Sequence, residues 1–111
     1  MTVLEESCLG LPITARMEHL DDGITVLLTG GSRTHVGAVS VADPGKQTET
    51  ITFPGHRDQA VSEPWAEAIS VKSGVRAAVI CGIHYDNATN QDIRRILEVM
   101  DRLLSDLLKT L

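Results

Sequence analysis

The last part of the chain carries the pattern that most constrains the fold. From Ile93 to Leu111, apolar residues recur at the intervals of one helix face. They are Ile93, Ile96, Leu97, Met100, Leu103, Leu104, Leu107, Leu108 and Leu111. This spacing predicts an amphipathic helix of about five turns. Such a helix has to bury its apolar side, so we expect it to cover a β-sheet.

The first half of the chain has the period of strands. Alternating or β-branched runs predict strands over residues 13–20, 24–29, 35–41 and 48–53. A turn at Asp21-Asp22-Gly23 makes the first two a hairpin. In the third strand, Val39 and Val41 are expected on one face and Ser40 on the other. The pattern leaves the role of residues 1–12 open, and Cys8 is placed outside the regular elements.

The second half alternates between helix and strand. Residues 58–73 read as a helix that ends before Gly74. Pro64 leaves two alternatives: the helix starts at Ser62 with Pro64 in its first turn, or it kinks at Pro64. Residues 75–83 are nearly all apolar, as in a central strand, and Thr89 with Asp92 resembles a capping box before the last helix.

These elements predict one domain over residues 1–111. Its class is α/β (α+β), with a single mixed β-sheet in the chain order β-β-β-β-α-β-α and two helices packed on one face. The many apolar residues of the last helix also suggest that a strip of it, or a sheet edge, pairs with a second subunit. We therefore expect a homodimer or assembly with another chain.

Composition argues against several classes of function. The net charge is −5 without a block of Lys or Arg, and aromatic residues make up 3%. Nucleic-acid binding through phosphate contacts or through base stacking is therefore not expected. No apolar run reaches the roughly 18 residues of a membrane span, and the first residues do not resemble a signal peptide. The two cysteines make no disulfide framework, so we expect a cytoplasmic protein with reduced thiols.

Three polar loops are expected at one end of the sheet. The strands before and after the first helix form a β-α-β unit, so their exit loops share an end. If the second to fourth strands form a plain meander, the loop around Arg33 joins them. The candidate ligand-binding residues in these loops are Arg33, Gly55, His56, Arg57, Asp58, His84, Tyr85, Asp86 and Asn87.

The Gly55-His56-Arg57-Asp58 loop suits an anion. A helix start offers backbone N–H groups and the positive end of the helix dipole, and a guanidinium can bind a carboxylate or phosphate in bidentate fashion. The alternative is a tight turn in which Asp58 only caps the helix. No glycine pattern typical of a nucleoside triphosphate or dinucleotide site is present.

His84 and Asp86 would project to the same side of an extended chain. Such a pair could take part in acid–base catalysis or provide two ligands of a metal ion. The alternative is an Asx turn beside a hydrogen-bonded histidine. His35, His56, His84 and Asp86 lie in separate segments without a short ligand motif, so no metal site is predicted. Cys81 is expected to be a small buried hydrophobe, and no catalytic residue is assigned.

Two blocks give a family resemblance. Ile51-Thr52-Phe53-Pro54-Gly55-His56-Arg57-Asp58 and Gly82-Ile83-His84-Tyr85-Asp86-Asn87, with the spacing between them, resemble the small D-subunit family of hydroxyarylic acid decarboxylases. That family is described as prenylated-flavin-chaperone-like, and its fold is similar to that of proteasome assembly chaperone 4. The resemblance covers about two-thirds of the chain.

The resemblance implies a non-catalytic accessory or chaperone-like subunit of an aromatic acid decarboxylase that uses prenylated FMN. Such a subunit would help to load or mature a separate, larger catalytic chain. The cofactor is implied by the resemblance alone, since the residues themselves name none. Two alternatives stay open: a structural homodimeric assembly module, and a small enzyme with His84 or His56 as general base and Arg57 as anchor.

Overall fold

The computed structural model describes residues 1–55 and 57–111. Six strands and two helices follow one another along the chain. They are β1 (Thr2–Cys8), β2 (Leu11–Leu20), β3 (Gly23–Gly31), β4 (Ala38–Ala42), β5 (Glu49–Thr52), α1 (Gln59–Ser73), β6 (Ala77–His84) and α2 (Asn90–Leu108). No helix in these described ranges is long and apolar enough to cross a membrane.

The strands form a single mixed sheet in the order β1-β2-β3-β6-β4-β5. β6 pairs with β3 in parallel and with β4 in antiparallel fashion, and β4 is also antiparallel to β5. Strands β3, β5 and β6 therefore all point the same way. The plain meander that the sequence suggested is wrong, because β6 is inserted between β3 and β4.

Both helices pack on one face of this sheet, which confirms the fold class. One continuous core joins Met17 and Leu28 of the sheet to Trp65 of α1 and Leu103 of α2. On β4, Ser40 faces this side and is buried, whereas Val39 and Val41 face the other side and are only half-buried. The alternation expected in that strand is thus confirmed.

Several element boundaries differ from the expectations. Residues 2–8 form an additional edge strand, so Cys8 ends β1 rather than lying outside the regular elements. β4 starts at Ala38, and His35 precedes it in a loop. α1 starts at Gln59, so Pro64 lies inside the helix rather than in its first turn.

The ends of the helices match their sequence signals. Gly74 follows α1 with a φ of 76° and donates its N–H to the carbonyl of Ser70 at 2.8 Å, as expected of a left-handed helix end. At the start of α2, the Asp92 N–H bonds the Thr89 hydroxyl at 3.1 Å and the Thr89 N–H bonds the Asp92 carboxylate at 3.0 Å. The capping box is therefore confirmed.

Candidate functional site

Two of the predicted loops meet directly where β3 and β6 end. The Ser32 N–H donates to the carbonyl of His84 at 2.6 Å, and the Asp86 N–H donates to the Ser32 hydroxyl at 3.1 Å. The two strands are parallel neighbours, so their exit loops lie side by side. The expected meeting of loops therefore occurs, although through a different strand order.

The loop after β5 reaches the same place through Asp58. The Asp58 carboxylate accepts a hydrogen bond from the Ile83 N–H at 3.1 Å and from the Cys81 thiol at 3.6 Å. Its other oxygen lies 3.2 Å from Nε2 of His35. Asp58 precedes α1, but its side chain makes no capping hydrogen bond to that helix. Its carboxylate connects the start of α1 to the end of β6.

The His35 loop needs two glycines to fit against these groups. A Cβ at Gly82 would overlap the carbonyl of His35, and a Cβ at Gly37 would overlap the Asp58 carboxylate. The Gly37 N–H also donates to the Cys81 carbonyl at 2.9 Å. The loop is thereby held close to β6, with the His35 imidazole beside Asp58.

A cavity of about 400 Å³ opens between the start of α1, the end of β6 and the first half of α2. This volume lies within the usual range for small-molecule sites. One wall is apolar and consists of Val61, Ile83, Ala88, Ile93, Ile96, Leu97 and Met100. The polar rim consists of His35, Gly55, Arg57, Asp58, His84 and Tyr85.

The apolar wall explains why α2 is richer in apolar residues than its packing requires. Ile96 and Met100 are buried in the core, whereas Ile93 and Leu97 each keep 42% of their surface exposed. Both exposed residues face the cavity. An apolar surface of this kind favours a ligand with a hydrophobic portion.

The polar rim favours an anionic group beside the apolar wall. Arg57 directly precedes Asp58 and α1, and the first turn of α1 contains no acidic residue. The Arg57 guanidinium and the positive end of the α1 dipole thus lie on the same side of the cavity as the Asp58 carboxylate, whose oxygens are engaged by other groups of the protein. The arrangement suits an amphiphilic anion, with its charge towards Arg57 and its apolar part towards α2.

Tyr85 has a supporting part in this rim. It is 8% exposed, and its hydroxyl donates to the carbonyl of Leu11 at 3.2 Å. Burial, and to a smaller extent the neighbouring Cys8 thiol, raise the pKa of Tyr85 to about 12. The phenol therefore stays protonated at neutral pH and fixes the loop after β6 to the β1–β2 turn.

His84 and Asp86 pair at the solvent-exposed side of the rim. Their side chains are 3.0 Å apart and are 45% and 70% exposed. Only His84 of the two lines the cavity. No group of three or more His, Cys, Asp or Glu suited to a metal ion occurs among residues 1–55 and 57–111.

The cavity gathers some of the predicted site residues. Gly55, Arg57, Asp58, His84 and Tyr85 line it, and His56 lies outside the described residues. Three others are absent from its lining and stay in the adjacent loops, namely Arg33, Asp86 and Asn87. Asn87 adopts a left-handed conformation with a φ of 55°.

Sequence reasoning missed His35 and the whole apolar wall. The sequence pattern predicts a strand that includes His35, and no local motif links this residue to Asp58, 23 residues away. The apolar wall has one signal in the sequence, the large number of apolar residues in the last helix. This number suggests sheet packing or a subunit contact, whereas Ile93 and Leu97 face the cavity.

A comparison with family models identifies the family, and a curated relative and a solved structure are similar to the chain. A family model described as "Prenylated flavin chaperone LpdD-like domain" matches residues 7–111. Protein LpdD of Lactiplantibacillus plantarum is 25% identical over 99 residues, covering 85% of this chain and 73% of that protein. A chain in the crystal structure of a chaperone complex for yeast 20S proteasome assembly superposes with a TM-score of 0.59 at 15% identity. That match covers 98% of this chain and 95% of the other, and it shows a shared fold.

Proposed function

This chain belongs to the family of LpdD-like prenylated flavin chaperone domains, and we propose that it holds the prenylated flavin in the cavity between α1 and α2. Family membership makes it a chaperone-like accessory protein in prenylated flavin loading rather than an independent enzyme. The site residues and the orientation of the flavin are our proposal.

The combination of an apolar wall and a polar rim that includes the Arg57 guanidinium carries this proposal. Prenylated FMN has a ring system with an apolar dimethylbenzene and prenyl-derived part, and it carries a phosphate at the end of its ribityl chain. The ring and isoprenoid part would lie against Ile93, Leu97 and Met100, where aliphatic contacts replace aromatic stacking. The phosphate would lie by Arg57 and the start of α1, where charge-assisted hydrogen bonds are strong.

The remaining predicted residues have places in this arrangement. Gly55 and Asp58 would shape the loop that presents Arg57, and His84 and Tyr85 line the same cavity. We propose that His56, which lies between Gly55 and Arg57 in the sequence, contacts the same ligand. Arg33, Asp86 and Asn87 would act from the adjoining loops, since Ser32 connects those two loops by hydrogen bonds.

An accessory protein of this family works with another protein. We propose that its partner is the larger catalytic subunit of a prenylated-FMN-dependent aromatic acid decarboxylase, which receives the flavin. We further propose that the chain is a homodimer and that it works in the cytoplasm. The two free, buried cysteines are compatible with a reducing compartment.

Native mass spectrometry of the protein purified from a host that makes prenylated FMN tests the flavin proposal. We expect the unmodified chain to retain a noncovalent flavin mass. Arg57→Ala should lower the retained fraction at least fivefold, because the phosphate loses its cation. Lys72→Ala is the matched control, since Lys72 is an exposed cation in the last turn of the same helix.

The outcomes separate the alternatives. Loss of flavin in Arg57→Ala with retention in Lys72→Ala supports the cavity. Equal retention in both variants places the flavin elsewhere. A chain that retains no flavin and forms no complex with the decarboxylase subunit would favour a structural assembly module instead.

A further inference from the structure

Pro64 deprives helix α1 of one of its hydrogen bonds. The helix starts at Gln59, and its first bond of the α-helical type runs from the Ser62 N–H to the carbonyl of Asp58 at 2.9 Å. Pro64 lies two residues further along and has no N–H to offer the carbonyl of Ala60, four residues before it. A proline at the first helical position would cost no bond, whereas here the Ala60 carbonyl loses its helical donor.

Ala60 lies in the wall of the cavity. It lines this cavity together with Arg57 and Val61, which belong to the same end of α1. A helical carbonyl points along the axis towards the residue four positions later, and both Ala60 and Pro64 are exposed. The Ala60 carbonyl therefore lies on the outer side of the helix, away from the core. Because it is a backbone acceptor without its helical donor, it needs a donor from outside the helix.

The position of Pro64 is not explained by the packing of α1. Proline is the least favourable residue in a helix interior. The core contacts of this helix are made by other residues, among them Trp65 and Ile69, and Pro64 itself is exposed. Positions where a sequence departs from the local structural preference tend to be functional sites. The departure at Pro64 therefore points to the neighbouring cavity rather than to the core.

We propose that the Ala60 carbonyl accepts a hydrogen bond from a hydroxyl group of the bound ligand, next to the phosphate that Arg57 holds. The inference deepens the proposed function and rests on it, since the phosphate and the ribityl hydroxyls are those of prenylated FMN. Ala60 follows Arg57 by three residues, so the cation and the acceptor lie within about one helical turn of each other. The hydroxyls of a ribityl chain likewise lie next to its terminal phosphate.

The cavity then offers three kinds of group that match the three parts of the ligand. Arg57 provides a charge for the phosphate, and Ala60 provides an acceptor for a ribityl hydroxyl. Ile93 and Leu97 provide an apolar surface for the ring system. An amphiphilic anion without hydroxyl groups would leave the Ala60 carbonyl unpaired, which is unfavourable. The acceptor therefore makes the site selective for a phosphate that carries a polyol chain.

Pro64→Ala separates this role from a purely structural one. The new N–H restores the helical bond to the Ala60 carbonyl, so the melting temperature without flavin should rise by at least about 4 °C. The Kd for prenylated FMN should nevertheless rise at least threefold, because the carbonyl is then engaged within the helix. Val71→Ala is the control, since Val71 is 76% exposed in the same helix and its replacement favours the helix far from Ala60. It should leave the Kd unchanged.

Carbon-13 NMR of the alanine carbonyls observes the proposed bond directly. In the unmodified chain, the Ala60 carbonyl signal should move downfield when prenylated FMN is added, because the carbonyl gains a donor. Ala66 and Ala68 lie further along α1 and serve as internal references. An unmoved Ala60 signal while flavin shifts the Leu97 methyl groups, with an unchanged Kd in Pro64→Ala, would overturn the inference and leave the flavin site standing. A chain that binds no flavin would overturn both.

Discussion

The carboxylate of Asp58 lies 3.1 Å from the backbone nitrogen of Ile83 and accepts its hydrogen bond. This contact joins two segments 25 residues apart, the start of α1 and the end of β6. Asp58 is 9% exposed and also contacts His35 and Cys81. The side chain that the sequence offered as a helix cap is therefore the group that holds the cavity loops together.

Replacement of Asp58 should loosen this end of the fold. In Asp58→Ala the Ile83 N–H and the Cys81 thiol lose their acceptor, and a buried donor without a partner costs about 1–3 kcal/mol. We expect the free energy of unfolding, measured by urea denaturation, to fall by that amount. Asp86→Ala is the control, because Asp86 is 70% exposed and should change stability by less than about 0.5 kcal/mol. Equal losses in both variants would contradict the role assigned to Asp58.

Gly82 should tolerate no side chain. In Gly82→Ala the new methyl group would overlap the carbonyl of His35, so the His35 loop has to move. We expect a loss of about 1–3 kcal/mol in the free energy of unfolding, as in other overpacked sites. Gly45→Ala is the comparison, since a Cβ there meets nothing within 4 Å and only its φ of 75° is unfavourable, at about 1 kcal/mol. A smaller loss at Gly82 than at Gly45 would contradict the close approach.

The buried thiol of Cys81 should make stability fall at alkaline pH. Burial, and then the neighbouring Asp58 charge, raise the pKa of Cys81 above the ordinary thiol value of 9.0. The unfolded chain therefore releases this proton at lower pH than the folded chain, so the stabilisation is complete below about pH 9 and is lost as the pH rises further. Urea denaturation from pH 7 to 10 should show a shallower decline for Cys81→Ala.

Cys81→Ser is the second variant for that experiment. Its hydroxyl does not titrate in this range and still has a donor for Asp58. It should follow the shallow pH dependence of Cys81→Ala. A decline as steep as that of the unmodified chain in both variants would show that another group, such as Tyr85 with its raised pKa, controls alkaline stability.

The sequence predicted best what depends on neighbours along the chain. The capping box of Thr89 and Asp92 and the helix end at Gly74 are local hydrogen-bond patterns, and both were read correctly. The hairpin around Asp22 followed from turn composition in the same way. Local chemistry of this kind is visible without knowledge of the strand order.

What the sequence missed depends on contacts between distant segments. Insertion of β6 between β3 and β4 is a choice among sheet orders with similar strand patterns. The pair His35 and Asp58 exists only because that order brings their loops together. Residues 2–8 do not alternate apolar and polar side chains, so no strand pattern marks them, and their pairing with β2 shows only in the folded sheet.

Methyl NMR of the protein during addition of prenylated FMN tests most directly the claim that the flavin binds in the cavity between α1 and α2. Isoleucine and leucine methyl groups lie both in this cavity and on the sheet face opposite the helices. The account predicts shifts for Ile93, Ile96 and Leu97, which line the cavity. It predicts unchanged signals for Leu27, Ile51 and Ile80, which lie on the sheet face opposite the helices. Shifts confined to that face, or no shifts at saturating flavin, would contradict the account.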